Sequence, residues 1–145
     1  MNPTRLAAAA IAAFLLLLTG CRSFEKDWAR AGAPPERPAL GTGRWVGTWQ
    51  NTNNTHSGAL RAVVTALDGT NHTARFQAQW GKHTGGFRAR LPGVWQDGRL
   101  VFSGSERILG FRIDTAGTLT DETLDATYTS RFDVGTFTLR RPGRQ

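Results

Sequence analysis

From about residue 43 onward, apolar and polar side chains alternate along the chain. In the stretch TARFQAQW, Ala74, Phe76, Ala78 and Trp80 share one face, and the stretches GFRARL and LDATYTSR repeat this pattern. One apolar and one polar face is typical of an antiparallel strand half-buried against a core. The pattern predicts about eight strands, at 44–51, 58–67, 72–80, 85–91, 99–106, 109–115, 117–120 with 123–131, and 134–141.

Turn-forming residues separate these runs. Asp68-Gly69, Asp97-Gly98, Ala116-Gly117 and the stretch 133–135 are the predicted turns, and Asp97-Gly98 has the composition of a two-residue hairpin. Short spacing between strands favours a meander, and a meander of eight strands removes its edges by closing on itself. We therefore predict an all-β fold, an eight-stranded antiparallel up-and-down barrel, with a two-sheet sandwich of the same strands as the alternative.

The beginning of the chain has a different pattern. One positive charge, Arg5, precedes a thirteen-residue apolar block at 6–18, and small residues follow it. A membrane-spanning helix needs about 20 apolar residues, so this layout is more typical of a secretory signal with a cleavage site. The block ends in Leu18-Thr19-Gly20-Cys21, which contains the only cysteine of the chain.

The sequence LTGC resembles the lipobox of bacterial lipoproteins. The resemblance implies cleavage between Gly20 and Cys21, diacylglyceryl transfer to the Cys21 thiol and N-acylation of the new terminus. Several acyl chains on one residue anchor a protein durably. The implied location is the bacterial cell envelope, and Arg22 after the cysteine favours the outer membrane, facing the periplasm, in a host with two membranes.

Residues 1–20 are thus predicted to be a signal peptide, 21–42 a lipidated linker rich in Pro and Ala, and 43–145 the β-barrel domain. Within the linker, FEKDWAR places Phe24 and Trp28 four residues apart, on one face of a helical turn. This turn is expected either to lie on the membrane surface or to pack against the domain.

The first predicted strand begins with Gly43-Arg44-Trp45, which resembles the G-x-W of lipocalins and other calycins. In that superfamily the Trp closes one end of the barrel and packs under an Arg from the last strand. The resemblance assigns these roles to Trp45 and, in the last strand, to Arg140; the neighbouring Arg141 also fits the second role.

Aromatic residues with inward parity suggest a site inside the barrel. Trp49, Phe76, Phe87 and Tyr128 are predicted to line a mouth that takes a small apolar or amphipathic ligand. The alternative is that these rings simply fill the core, because an eight-stranded barrel has just enough interior for side chains or one small ligand.

Residues suited to catalysis are few. His56, His72 and His83 fall at predicted turns or strand ends. The alternative hypothesis is an enzyme or metal-dependent accessory factor, in which these three histidines gather at one rim of the barrel. Their spacing matches no metal-binding motif, and no nucleophile elbow surrounds a serine. We expect no enzymatic activity, no metal and no cofactor.

A net charge of +7 adds one further expectation. Outward positions are predicted for six arginines, Arg61, Arg75, Arg88, Arg90, Arg99 and Arg112. They suit an anionic envelope component or a plain solvated surface; outward aromatics for base stacking are missing from this pattern, so nucleic acid is not expected. The sequence thus predicts a non-enzymatic envelope protein, lipid-anchored, that binds a small ligand or serves as a structural or interaction module.

Overall fold

A computed structural model describes residues 23–32, 39–108 and 110–143, without the side chain of residue 108. One helix, α1, covers residues 23–31. Eight strands follow: β1 Gly43–Asn51, β2 Ser57–Ala66, β3 Asn71–Trp80, β4 His83–Gln96, β5 Arg99–Ile108, β6 Phe111–Leu119, β7 Thr123–Ser130 and β8 Val134–Arg140.

The strands form a closed barrel in which each pairs antiparallel with its neighbours in sequence. The last strand returns to the first, with Val46 opposite Arg140 and Asn51 opposite Gly135. This pairing leaves no free sheet edge. The up-and-down barrel is confirmed, and the two-sheet sandwich is wrong.

The meander gives the barrel two different ends. The turns after β1, β3, β5 and β7 lie at one end, which we call the aromatic end because Trp80, Phe111 and Phe132 project there. The start of β1 and the turns after β2, β4 and β6 lie at the other. Residues 39–42 also cross this second end. We call these residues the strap, and this end of the barrel the strap end.

Two predicted turns differ from the structure. Ala116-Gly117 lies inside β6, because Gly117 faces inward where a Cβ would lie 2.2 Å from the Asp125 carbonyl oxygen. A glycine is needed at this position because β7 approaches closely, and not because the chain turns there. The last turn covers 131–133 in place of 133–135, and β8 begins at Val134. The turn at Asp97-Gly98 is confirmed, with φ of 52° and 77°, as a two-residue hairpin requires.

Helix α1 packs on the outer wall of β2 and β3. Phe24 is only 2% exposed, and its ring lies 5.1 Å from the Arg61 guanidinium and 5.8 Å from that of Arg75. Glu25 pairs with Arg61 and Asp27 with Arg75. Of the two sequence-based alternatives for this turn, packing against the domain is the one that the structure contains.

Candidate functional site

Three of the four residues predicted to line a ligand mouth, Phe76, Phe87 and Tyr128, form one aromatic cluster together with Phe137. Phe76 stacks on Phe87 at 4.9 Å and lies 5.4 Å from Phe137, while Tyr128 stacks on Phe137 at 4.9 Å. Phe87 also lies 6.1 Å from Phe137. Because β4 and β8 are opposite walls of an eight-strand ring, this last contact crosses the whole interior. The rings occupy the space in which a ligand was predicted.

Trp49 lies above this cluster, nearer the aromatic end. Its side chain is half-buried, and its indole Nε1–H donates to the Gln79 carbonyl at 2.9 Å. Ala78, Phe87 and Ile113 are likewise partly buried against the core at this level. These four side chains form the half-exposed apolar layer of the barrel, the layer nearest to solvent at this end.

A polar network joins three strand ends at the aromatic end. The buried Asn51 side chain donates from Nδ2 to Asp133, and its Oδ1 accepts from the backbone N–H of Asn53 at 2.7 Å. The Tyr128 hydroxyl donates to the other Asp133 oxygen at 3.2 Å. Burial, together with the adjacent Asp133 carboxylate, raises the pKa of Tyr128 to about 12. The tyrosine is therefore a neutral hydrogen-bond donor at physiological pH.

The turns of the aromatic end expose large apolar rings. Trp80, Phe111 and Phe132 are 45%, 46% and 68% exposed. Phe111 and Phe132 meet edge to face at 5.1 Å, and the Arg131 guanidinium lies 5.4 Å from the Phe132 ring centre. The sequence analysis placed Trp80 on the inward, apolar face of its strand, which is wrong because this ring lies at the strand's end in solvent; it did not single out Phe111 or Phe132. The sequence feature that could have revealed Phe111 and Phe132 is an aromatic residue next to an arginine at a turn, as in Arg131-Phe132 and Phe111-Arg112.

The strap end is closed by side chains that bond to the strap. Trp45 is fully buried, and its Nε1–H donates to the Gly41 carbonyl at 3.0 Å. The Gly41 N–H donates to Asp121 at 3.0 Å. Arg141 donates to the carbonyls of Thr42 at 2.6 Å and Asp121 at 2.7 Å. Trp45 thus lies buried beneath the strap at this end of the barrel.

The arginine over Trp45 is Arg141, not Arg140. The Arg141 guanidinium lies 4.2 Å from the Trp45 ring centre, whereas Arg140 is on the outer wall and pairs with Asp125 at 2.7 Å. Strand alternation explains this, since Phe137 and Leu139 point inward and Arg140 therefore points outward. The assignment of this role to Arg140 is corrected to Arg141.

The three histidines do not gather at one rim. His56 and His83 lie at the aromatic end, whereas His72 begins β3 at the strap end and points inward, 2% exposed. His72 Nε2 lies 3.2 Å from the Leu40 carbonyl of the strap. Among the described parts of the chain, no group of three His, Cys, Asp or Glu side chains is arranged to hold a metal ion.

The six outward arginines have two kinds of surroundings. Arg61 and Arg75 are partly covered by α1, as described above. Arg88, Arg90, Arg99 and Arg112 are exposed, and Arg112 pairs with Asp114 at 2.8 Å. Part of the predicted basic face thus holds the helix in place by cation–π contacts and ion pairs.

Comparisons with known proteins add no relative. No family model matches the chain, and neither a curated protein nor a solved structure matches it significantly. Gly20, Cys21 and the predicted signal peptide lie outside the described residues. Within the described ranges, no helix is both long enough and apolar enough to cross a membrane.

Proposed function

We propose that this protein is a lipid-anchored, non-enzymatic component of the bacterial cell envelope that acts through the outside of its barrel, as an interaction module. The aromatic cluster inside the barrel is the observation that supports action through the outside. Phe87 and Phe137 come from opposite walls and meet at 6.1 Å, so side chains fill the interior at this level. A protein whose interior is filled makes its contacts with its surface.

The anchor is proposed on the residues LTGC and the apolar block before them. The fold is compatible with an anchor at this position in the sequence. Helix α1 covers residues 23–31, shortly after Cys21 in the sequence, and packs on the barrel wall. The non-enzymatic part is supported by the positions of the histidines. The alternative of a loop-histidine site needs residues that the meander places at both ends of the barrel.

A second candidate function has its own support in the half-exposed layer. Trp49, Ala78 and Ile113, together with the partly buried cluster member Phe87, leave some apolar surface accessible where they pack against the core. A small apolar or amphipathic ligand would bind here, capping the cluster and displacing water from these side chains.

Native mass spectrometry of the chain, extracted from membranes in mild detergent, tests these proposals together. We expect a mass equal to residues 21–145 plus the acyl groups on Cys21, with no further adduct. A stoichiometric small molecule that leaves on gentle activation would overturn action through the exterior and favour the ligand function. A mass equal to the uncleaved or unacylated chain would overturn the anchor.

The anchor has a matched pair of variants. Cys21→Ala removes the acylated thiol, whereas Thr19→Ser keeps a small residue at a lipobox position. We expect Cys21→Ala to lose incorporation of a palmitate analogue and Thr19→Ser to retain it. Equal incorporation by the two variants would contradict lipidation at Cys21.

A further inference from the structure

The exposed rings of the aromatic end form an apolar surface that the fold does not use. Trp80, Phe111 and Phe132 come from three different turns, after β3, β5 and β7. Each ring is at or beside the tip of its hairpin, and Phe111 and Phe132 touch each other across two hairpins. Exposed apolar surface of this kind is typical of contact sites. We call these three residues the aromatic rim.

Cations surround the aromatic rim. Lys82, Arg107, Arg112 and Arg131 are all exposed and lie within two residues of a turn at this end. Two carboxylates lie nearby: Asp133 accepts from Asn51 and Tyr128, and Asp114 accepts from Ser105 and Arg112. The hydrogen bonds from Ser105 and Arg112 also lower the pKa of Asp114, so this carboxylate stays charged and offsets the charge of Arg112. Four cations against these two carboxylates leave the rim with a net positive charge.

The turns of the strap end contain four exposed carboxylates, Asp68, Asp97, Asp121 and Glu122. Arginines lie beside two of these turns: Arg141 pairs with Asp121 at 3.8 Å, and the exposed Arg99 follows the turn of Asp97. Hydrogen bonds from Asn71 and Thr70 lower the pKa of Asp68 to about 2, so this group keeps its negative charge at any physiological pH. The barrel therefore has a polarity along its axis: the aromatic end carries exposed rings and cations, and the strap end carries exposed carboxylates with arginines beside them.

The tether is arranged consistently with this polarity. Helix α1 ends at the strap end, where the Ala31 carbonyl oxygen lies near Gly43. It begins against Arg61 and Arg75, in the middle of the wall, so Ser23 is farther from the strap end than Ala31. Cys21, the proposed site of acylation, precedes Ser23 by two residues in the sequence, and two residues of extended chain span at most about 7 Å.

We propose that the aromatic end docks on the anionic phospholipid surface of the membrane that holds the acylated Cys21. The rim rings then enter the headgroup region, where Trp and other aromatic side chains are favoured, and the four cations face lipid phosphates and acidic headgroups. This inference rests on the proposed lipid anchor. A bilayer suits the rim better than a protein partner does, because its rings are spread around a circular edge and not gathered in a groove.

The experiment places a probe at each end of the reconstituted full-length lipoprotein. Phe132→Cys and Leu67→Cys replace apolar side chains at turn tips of opposite ends, with matched exposures of 68% and 63%. Each variant is labelled with the environment-sensitive fluorophore NBD and reconstituted in vesicles of phosphatidylcholine alone or with phosphatidylglycerol. Quenching by nitroxide-labelled lipid and by aqueous iodide reports the position of each probe.

We expect the probe at 132 to be quenched by the lipid nitroxide in the anionic vesicles only, and the probe at 67 to be quenched by iodide in both. Each cation removed, as in Lys82→Gln or Arg131→Gln, weakens the docked state about fivefold at low salt. Exposure of both probes to iodide in anionic vesicles would overturn the docking proposal. Protection of 132 without lipid contact, only when other envelope proteins are added, would also overturn it, in favour of a protein partner.

Labelling itself separates this proposal from the anchor. An acylated Cys21 leaves one reactive thiol per variant and thus one NBD per chain, whereas a free Cys21 gives two. If two labels are found, the anchor is wrong, and the same quenching measurement is repeated on Cys21→Ser chains mixed with concentrated anionic vesicles. Lipid contact at 132 would then support the docking surface without a tether, and its absence would overturn it.

Discussion

The two ends of the barrel deal with apolar surface in opposite ways. At the strap end, Trp45 is fully buried and bonded to the strap. At the aromatic end, Trp80 is 45% exposed and belongs to a rim of rings in solvent. One tryptophan therefore contributes its area to folding, and the other leaves much of its area available for a contact. The difference separates the part of the molecule that maintains the fold from the part suited to binding.

Hydrogen bonding follows the same division. The strap has backbone groups of Gly41 and Thr42 bonded to Asp121, Trp45 and Arg141. Burying such groups without partners costs free energy, so each of these bonds makes the closure more specific. At the aromatic end the network of Asn51, Asp133 and Tyr128 ties the turn after β7, which presents Phe132, to the end of β1. This network leaves the Phe132 ring uncovered.

Truncating the two tryptophans is expected to give the largest difference. Trp45→Ala removes a fully buried ring and is expected to lower the free energy of unfolding by about 3 to 5 kcal/mol. Trp80→Ala removes a half-exposed ring and should cost less than about 1 kcal/mol. Urea unfolding followed by circular dichroism measures both. Trp45→Phe serves as the milder variant if Trp45→Ala does not fold, and an effect no larger than that of Trp80→Ala would contradict the division.

Glycines with positive φ provide a matched pair at the two ends. Gly41 in the strap has φ of 79°, and a Cβ there would lie 2.6 Å from Leu119 Cδ2; Gly110 at the aromatic end has φ of 84° and no atom within 4 Å. Gly110→Ala introduces only backbone strain, which should lower the free energy of unfolding by about 1 kcal/mol. Gly41→Ala adds overpacking against a buried leucine, for a total of about 2 to 4 kcal/mol. Equal melting temperatures for the two variants would show that the strap is not packed on Leu119.

Adjacent arginines at the end of the chain provide the next comparison. Arg141→Gln removes the cation over Trp45 and two hydrogen bonds to the strap end, which should lower the free energy of unfolding by about 1.5 to 3 kcal/mol. Arg140→Gln removes one exposed ion pair with Asp125, worth at most about 1 kcal/mol. Thermal unfolding at two salt concentrations distinguishes them, since salt screens the exposed Arg140–Asp125 pair more strongly than the partly buried contacts of Arg141 with Trp45 and the strap. The reverse order of effects would restore the end-closing role to Arg140.

This pair also illustrates how far the sequence determines the fold. Alternation of apolar and polar residues was enough to predict eight strands and their closure, and alternation from Leu139 could also have assigned Arg141 to the inside. Ala116-Gly117 was mistaken for a turn because a glycine needed for close packing between strands has the same local sequence signal as one needed for a turn. That ambiguity is resolved only by the neighbouring strand, which lies several residues away in the sequence.

Predicting the candidate site was harder for a different reason. Inward parity placed Phe76, Phe87 and Tyr128 correctly inside the barrel, but parity says nothing about whether rings from opposite walls meet. The filling depends on Phe137 and on the diameter of the closed barrel, a property of all eight strands together. The aromatic rim was missed because its members are far apart in sequence and meet only when the hairpins align.

The last comparison concerns the single tyrosine, whose titration reports the network beneath the rim and leaves stability at neutral pH unchanged. Burial and the Asp133 carboxylate both disfavour the tyrosinate, so Tyr128 is expected to ionise near pH 12 in the folded protein, against about 10 in the unfolded chain. The folded state then holds a proton that the unfolded state loses, so stability is fully present below pH 10 and falls as the pH rises from about 10 to 12. Absorbance at 295 nm follows this single group. Asp133→Asn removes the charge but leaves the burial, and should bring the pKa only part of the way back. Ionisation near pH 10 in the folded wild type would show that the Tyr128 hydroxyl is open to water. The network beneath the rim would then be as accessible to solvent as the rim itself.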